Sequence, residues 1–366
     1  AQAQALLTRF EAAGRDWAAF PLFGVPFVVK DNLDVAGVAT TAACPDFAYV
    51  PTASAPVVAR LIEAGALLLG KANLDQFATG LVGTRSPYGA VPNAFNPDYV
   101  SGGSSSGSAT LVARGIAAFS LGTDTAGSGR VPAAFNNLVG LKPTRGWFST
   151  RGVVPACRSL DCVSVFAHTL EDAEVVAAVL GRFDAEDPFA RPAPAVMGTR
   201  RLPPAPRLGV PAAPRFCGDA AAEAAFGEAC SRLEALGATL VPLDFAPLHA
   251  LADLLYEGPW VAERQAAISA FLSRPGVTMH PVVQAIIGRA DDFSAADAFR
   301  ADYHRAELVR AAEQQMASVD ALVVPSTPTI HTQAAVAAEP VLLNTQLGTY
   351  TNFVNLMDGC ALALPT

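Results

Sequence analysis

Charge is scarce in this 366-residue chain: 16% of its residues are charged, against about a quarter in an ordinary globular chain, while 51% are apolar. So apolar a chain excludes a disordered polymer and predicts a large buried core. The net charge of −8 speaks against a nucleic-acid groove, and no nucleic-acid partner is expected. Long apolar runs are missing too. The best stretch, Ala109 to Gly122, is broken by Arg114 and falls short of the roughly 18 residues a membrane helix needs, so no membrane partner is expected. The six cysteines (Cys44, Cys157, Cys162, Cys217, Cys230 and Cys360) form no CxxC pair and no Cys/His zinc spacing. Neither a metal site nor a disulfide framework is expected, and a reducing, cytoplasmic setting is the default. The chain starts at Ala1 and stops just after an apolar run, which reads as a fragment of a longer protein.

Lysine is the scarcest charged residue. Against 22 arginines there are only Lys30, Lys71 and Lys142. Arginine keeps its proton in a protein, whereas a desolvated lysine can lose it. A position that keeps lysine is therefore a candidate for a neutral amine, set against the plain alternative that it is merely packed.

Along the chain, residues 1–20 read as the tail of an amphipathic helix and Gly24–Lys30 as a buried strand ending at a charge. Ser54–Ala64 reads as a helix capped by Ser54, and Ala66–Leu69 as a strand; that alternation suggests βαβ units. Two Gly/Ser loops follow, SGGSSSGS (101–108) and GTDTAGSG (122–129), separated by a helix near Ala109–Arg114 and a strand at Ile116–Leu121. Thr169–Leu180 carries a T-x-x-D cap. Residues 184–206 read as an irregular Pro-rich excursion. Asp219–Leu236 is a predicted helix, and Ala238–Val241 a strand. A helix over Leu251–Phe271 breaks near Gly258-Pro259, and Ala321–Pro325 is a buried strand. The pattern predicts one mixed α/β domain over residues 1–366.

Two motifs are near misses. GALLLGKA (65–72) imitates a phosphate-binding loop but has Ala72 where a magnesium-binding hydroxyl belongs, so Lys71 reads as structural. GSSSG (103–107) fits a nucleophile elbow centred on Ser105, with Asp320 and His331 as conceivable partners, and is retained as a rival.

The two Gly/Ser loops together are more informative. Ser104 and Ser128 lie 24 residues apart, with one helix and one strand between them, enough to return the second loop beside the first. Small residues at Thr125-Ala126-Gly127-Ser128-Gly129 let backbone N–H groups crowd a substrate oxygen. A serine there needs a base, and no histidine lies in or near either loop. Lys30, at the end of its strand, could be that base.

GVPFVVKDN (24–32), GGSSSGS (102–108), GTDTAGSGRVP (122–132) and GLKPTRG (140–146) together resemble the amidase signature family in order and spacing. The resemblance implies an α/β fold with a central mixed β-sheet covered by helices on both faces. It also implies a serine nucleophile, Ser128; a second serine in a cis peptide, Ser104; and a lysine, Lys30. The oxyanion hole falls on the backbone N–H groups of Thr125, Ala126, Gly127 and Ser128. NLDQFATGLVGTRSPYG (73–89), GVVPACRSLDC (152–162), YEGPWVAER (256–264) and YTNFVNLMDG (350–359) resemble the branch of that family that hydrolyses allophanate. There Tyr256 and Arg264 correspond to substrate-contacting residues, and a helix would put them, eight apart, on one face. The resemblance further implies a homodimer, no cofactor, and members longer than this chain at both ends.

Hydrolysis would then need Lys30 neutral, although an ordinary lysine has a pKa of about 10.4. Ser104 would relay the proton, Ser128 would attack the amide carbonyl, ammonia would leave, and water would hydrolyse the acyl-enzyme. Arg264 would grip the substrate carboxylate. The rivals are hydrolysis of carboxybiuret, the amidase component of a tRNA-dependent amidotransferase, a Ser–His–Asp hydrolase through Ser105, and a non-catalytic binding domain.

Overall fold

The apolar run at 26–30 becomes the strand around which the core is built. The computed structural model describes residues 2–192 and 202–366. In chain order the strands are β1 (Pro26–Lys30), β2 (Leu67–Ala72), β3 (Phe119–Asp124), β4 (Val139–Lys142), β5 (Cys162–Ala167), β6 (Arg207–Pro211), β7 (Thr239–Leu243), β8 (Ala321–Leu322) and β9 (Ala361–Ala363). Six form one sheet in the order β2-β1-β3-β5-β4-β9, and β7-β6-β8 form a second. In the larger sheet β1 is parallel to β2 and β3, whereas β5 is antiparallel to β3 and β4, and β9 antiparallel to β4. The sheet is mixed, as expected.

The helices that matter for the site are α1 (Gln2–Ala12), α2 (Pro56–Glu63), α3 (Ser106–Ala113), α4 (Val131–Phe135), α5 (Leu170–Leu180), α6 (Ala220–Ala235), α7 (Ala246–Glu257) and α8 (Trp260–Ala267). Alternation along the strands sends side chains to both faces. Phe27 and Val29 of β1 and Val163 and Val165 of β5 pack with residues of α2 and α5. Val28 and Phe166 pack the other way, against Ala109 and Val112 of α3 and Ala133 of α4. Helices thus cover both faces.

Elements set by local chemistry lie where the sequence puts them. Thr169 caps α5 by accepting from the Asp172 N–H at 3.1 Å, and Asp219 caps α6 by accepting from the Ala221 and Ala222 N–H groups. The chain breaks between α7 and α8 at Gly258-Pro259. Elements set by tertiary contacts differ from expectation. The first helix stops at Ala12. Ser54 does not cap α2: its hydroxyl accepts from the Ala36 N–H at 3.0 Å, and Pro56 starts the helix after Ala55. Helix α3 starts at Ser106, earlier than expected, because Ser105 and Ser108 donate to the Thr123 and Leu121 carbonyls and tie the Gly/Ser run to the sheet. Gly107 permits this approach, since a Cβ there would lie 2.8 Å from the Asn73 backbone. Strand β3 correspondingly begins at Phe119 and ends at Asp124, leaving Ile116 exposed.

Strand β8 is two residues long and half-buried, not a buried five-residue strand, because it pairs only with β6 at the rim of the small sheet. Residues 184–192 lack regular structure yet are anchored: Asp184 accepts from Ser149 Oγ at 2.6 Å and Asp187 from the Thr150 N–H at 2.6 Å. Within the Pro-rich stretch, 193–201 lie outside the described residues, and 202–206 lack regular structure. No helix among the described residues is long and apolar enough to cross a membrane.

Candidate active site

The end of β1, the loop before α3 and the turn after β3 bring the three expected residues together. Lys30, the last residue of β1, is completely buried; its Nζ donates to Ser104 Oγ at 2.8 Å and to Thr123 Oγ1 at 2.7 Å. Ser104 Oγ in turn donates to Ser128 Oγ at 3.0 Å. A continuous chain of one amine and two hydroxyls therefore joins residues 74 and 24 positions apart in sequence. The Gly103–Ser104 peptide is cis. Thr123 lies in the GTDTAGSGRVP motif without standing out in it; the register that carries it past the end of β1 is set by sheet pairing.

Burial lowers the Lys30 pKa from its ordinary value of 10.5 to about 7; Asp75, Asp161 and Asp124 oppose the shift and Arg264 adds to it. A large neutral fraction near neutrality is what a lysine base requires.

The turn after β3 is braced by Asp124, which is fully buried. Its carboxylate accepts from the Gly127 N–H at 2.9 Å, the Gly129 N–H at 3.0 Å, and Arg130 Nε and Nη2 at 2.9 and 3.0 Å. Burial alone would raise the Asp124 pKa, but the Arg130 guanidinium holds it below the usual carboxylate range. Arg130 also donates to the Thr351 carbonyl and to Asn355, so the turn is fastened to the C-terminal part of the chain. The Gly127 N–H is thereby engaged inside the turn. That differs from the expectation of four open donors: among the described residues, the N–H groups of Thr125, Ala126 and Ser128 face no protein acceptor. Asp124→Ala strands a buried guanidinium and is expected to lower the unfolding free energy by about 3–5 kcal/mol, read from urea denaturation.

A second buried carboxylate supports the turn from outside. Asp161 accepts from Thr125 Oγ1 at 2.5 Å and from the Ala156 and Cys157 N–H groups at 2.9 and 3.2 Å. Burial pushes its pKa up to about 6. It lies within the GVVPACRSLDC motif, but its role there is not legible from the sequence because its partners are loop residues.

Tyr256 and Arg264 meet, but not on one helix face. Tyr256 lies near the end of α7 and Arg264 in α8, across the Gly258-Pro259 break. Arg264 Nη2 donates to Tyr256 Oη at 3.3 Å, and the guanidinium carbon lies 5.2 Å from the centre of the Tyr256 ring. Nη1 donates to Thr79 Oγ1 at 3.1 Å, while the buried Nε has no acceptor. A buried guanidinium with donors to spare, and no carboxylate in contact among the described residues, is suited to an incoming anion.

The rival elbow is not assembled. Ser105 Oγ is buried and donates to the Thr123 carbonyl, Asp320 accepts from the Arg207 N–H at 2.8 Å, and neither it nor His331 contacts Ser105. Lys71 is paired with Asp31 at 2.8 Å, and Lys142 donates to two backbone carbonyls, so both act structurally. A cleft of about 620 Å³ between 49–56 and 150–158 borders Asp161 but none of Lys30, Ser104 and Ser128. The amine–hydroxyl contacts, not that opening, make the candidate reactive centre.

This fold, with a buried lysine and two loop serines in contact, is that of an amidase, and the Amidase family model matches residues 1–366: the chain belongs to the amidase family. Urea amidolyase of Lachancea kluyveri is 52% identical over 348 residues, which make up 94% of this chain and 19% of that protein. The solved structure of selenomethionine-substituted Kluyveromyces lactis allophanate hydrolase is 50% identical with a TM-score of 0.91, over 94% of this chain and 57% of that one. A component of the glutamyl-tRNA(Gln) amidotransferase of Thermotoga maritima matches at 26% identity and a TM-score of 0.79, over 93% of this chain and 76% of that one. The chain thus spans about a fifth of the urea amidolyase it matches, the 19% already given.

Proposed function

We propose that this chain hydrolyses the terminal C–N bond of allophanate, a urea bearing a carboxylate, and releases ammonia. The buried chain Lys30–Ser104–Ser128 ending beside open N–H groups carries this reading. The likeness to allophanate hydrolase and urea amidolyase supports the substrate.

The contacts support the following steps. In the reactive arrangement the two hydroxyls turn over: Ser128 donates to Ser104, and Ser104 donates to the lone pair of neutral Lys30, which still donates to Thr123. Ser128 Oγ attacks the amide carbonyl as its proton moves to Ser104 and the Ser104 proton moves to Lys30. The carbonyl oxygen gains negative charge facing the N–H groups of Thr125, Ala126 and Ser128; one such donor is worth about 3–4 kcal/mol in the transition state. Collapse breaks the C–N bond, and the proton returns through Ser104 to the leaving amine. Water, deprotonated by the same route, then frees the acid and restores Ser128. Arg264 binds the carboxylate and Tyr256 donates one hydrogen bond. Residues 1–366 act as one domain in this reading, a view supported by the apolar cluster that joins Leu243 and Leu248 to Ala126 and Phe353. A cytoplasmic homodimer completes it, resting on the family resemblance and on six cysteines that are all free.

The test is ammonia release from allophanate, malonamate, biuret and propionamide, by wild type and Arg264→Gln. Wild type is expected to favour the two carboxylates, and Arg264→Gln to lose roughly 10²-fold on those two. Equal wild-type rates on propionamide and allophanate would remove the substrate assignment and leave the chemistry standing.

A further inference from the structure

Arg264 is not the sole guanidinium at this end of the site. Arg85 is buried, and its guanidinium too contacts no carboxylate among the described residues. Its Nη1 donates to the Thr79 carbonyl at 3.0 Å, its Nη2 to the Pro340 carbonyl at 2.6 Å, and its Nε has no acceptor. Removing a guanidinium from water carries a penalty that neutral carbonyls repay only in part. A buried arginine at such a place calls for a reason.

Thr79 supplies one, because both arginines converge on it. Arg85 takes its carbonyl and Arg264 its hydroxyl. The Thr79 hydroxyl donates to the Phe77 carbonyl at 3.2 Å, which leaves its lone pairs for Arg264 Nη1. The two residues before it, Phe77 and Ala78, have φ values of 50° and 52°, a left-handed conformation that L residues rarely adopt. Such backbone persists where its surroundings over-determine it. Arg85 provides much of that determination. Its N–H donates to Asp75 Oδ1 at 2.9 Å, its carbonyl accepts from the Gln76 N–H at 2.7 Å, and its side chain reaches Thr79. The loop from 75 to 85 is therefore closed by one residue at three points. Burial lowers the Arg85 pKa; Asp75 opposes this and the charge of Arg264 adds to it, so the two guanidiniums sense one another.

We infer that Arg85 is a positioning residue for carboxylate selectivity: by clasping the 75–85 loop it holds the Thr79 hydroxyl where Arg264 must be oriented to receive the substrate's carboxylate. This deepens the reading of Arg264 given above and rests on it. The ligand class is an amide that carries a carboxylate, and Arg85 need not touch it.

The experiment compares wild type, Arg85→Gln and Thr79→Val on malonamate and on propionamide, which lacks the carboxylate. Arg85→Gln is expected to raise KM for malonamate roughly tenfold or more while kcat changes less than about threefold. The malonamate-to-propionamide ratio of kcat/KM should fall at least about tenfold. Thr79→Val leaves the clasp in place and removes only the acceptor, so it should lower the same ratio, and the double variant should lower it no further than the worse single variant. Equal losses on both substrates, leaving the ratio unmoved, would mark Arg85 as merely structural and overturn the inference. Should Arg85→Gln fail to fold, the Thr79→Val ratio decides alone. A wild type with no preference for malonamate would instead sink the reading of Arg264 itself.

Discussion

Ser128→Ala is expected to abolish ammonia release, by about 10⁴–10⁶-fold in kcat, with the fold unchanged. The magnitude follows from the way the site is joined. Ser128 Oγ is the terminal group of a three-member chain, and removing any member of such a unit forfeits most of what the unit does. The fold should tolerate the change because the hydroxyl makes a single side-chain contact, to Ser104. Ser105→Ala provides the contrast. That hydroxyl donates to the Thr123 carbonyl and accepts from the Thr123 N–H, so its loss is expected to cost about 1–2 kcal/mol of stability and to leave turnover largely in place. A fluorophosphonate should add its mass at Ser128 and not at Ser105, as peptide mapping would reveal. Label on Ser105, with turnover lost in His331→Ala, would transfer the chemistry to the rival elbow.

Lys30→Arg is expected to cost about 10²–10⁴-fold as the loss of a general base, and closer to the Ser128→Ala figure if the chain acts as one unit. Arginine keeps a positive charge in the right place but cannot surrender a proton, so the variant separates charge from basicity. In the proposed mechanism the base is the neutral amine, whose pKa burial lowers to about 7. Activity should therefore fall about tenfold per pH unit below pH 7 and level off above it. Stability follows the same group with the sign worked through. The folded pKa of about 7 lies below the ordinary 10.5, so between those values the unfolded chain binds more protons. Unfolding free energy from this residue rises with pH across that window, and Lys30→Met should flatten the rise. A kcat/KM profile with no acid limb near pH 7 would remove Lys30 from the role of base.

How far the sequence can be read depends on whether a feature is local. The Thr169 and Asp219 caps and the break at Gly258-Pro259 are written within a few residues, and each lies where expected. The start of α3 is not local. Its Gly/Ser run has little helix propensity, and hydrogen bonds from Ser105 and Ser108 to β3 decide where it begins. The same division holds at the site. Lys30 stands out because lysine is so rare here, and Ser104 and Ser128 because they sit in two glycine turns. Thr123, Asp161 and Thr79 lie inside the motifs without standing out in them: each makes its contact with a partner brought near by the fold. Tyr256 and Arg264 do pair, but a bend and not a continuous helix face brings them together.

The scarcity of lysine has a practical side. Lys30 and Lys142 are wholly buried, and the Lys71 side chain is 7% exposed and held by Asp31. No ε-amine in these 366 residues stands free in water. On the surface of these 366 residues succinimidyl dyes and biotin esters will therefore find no lysine, and the exposed thiols of Cys217 and Cys360 offer selective handles. For the same reason, the rate at which lysines become acylated reports how often the core opens, and amine chemistry becomes a clock for unfolding.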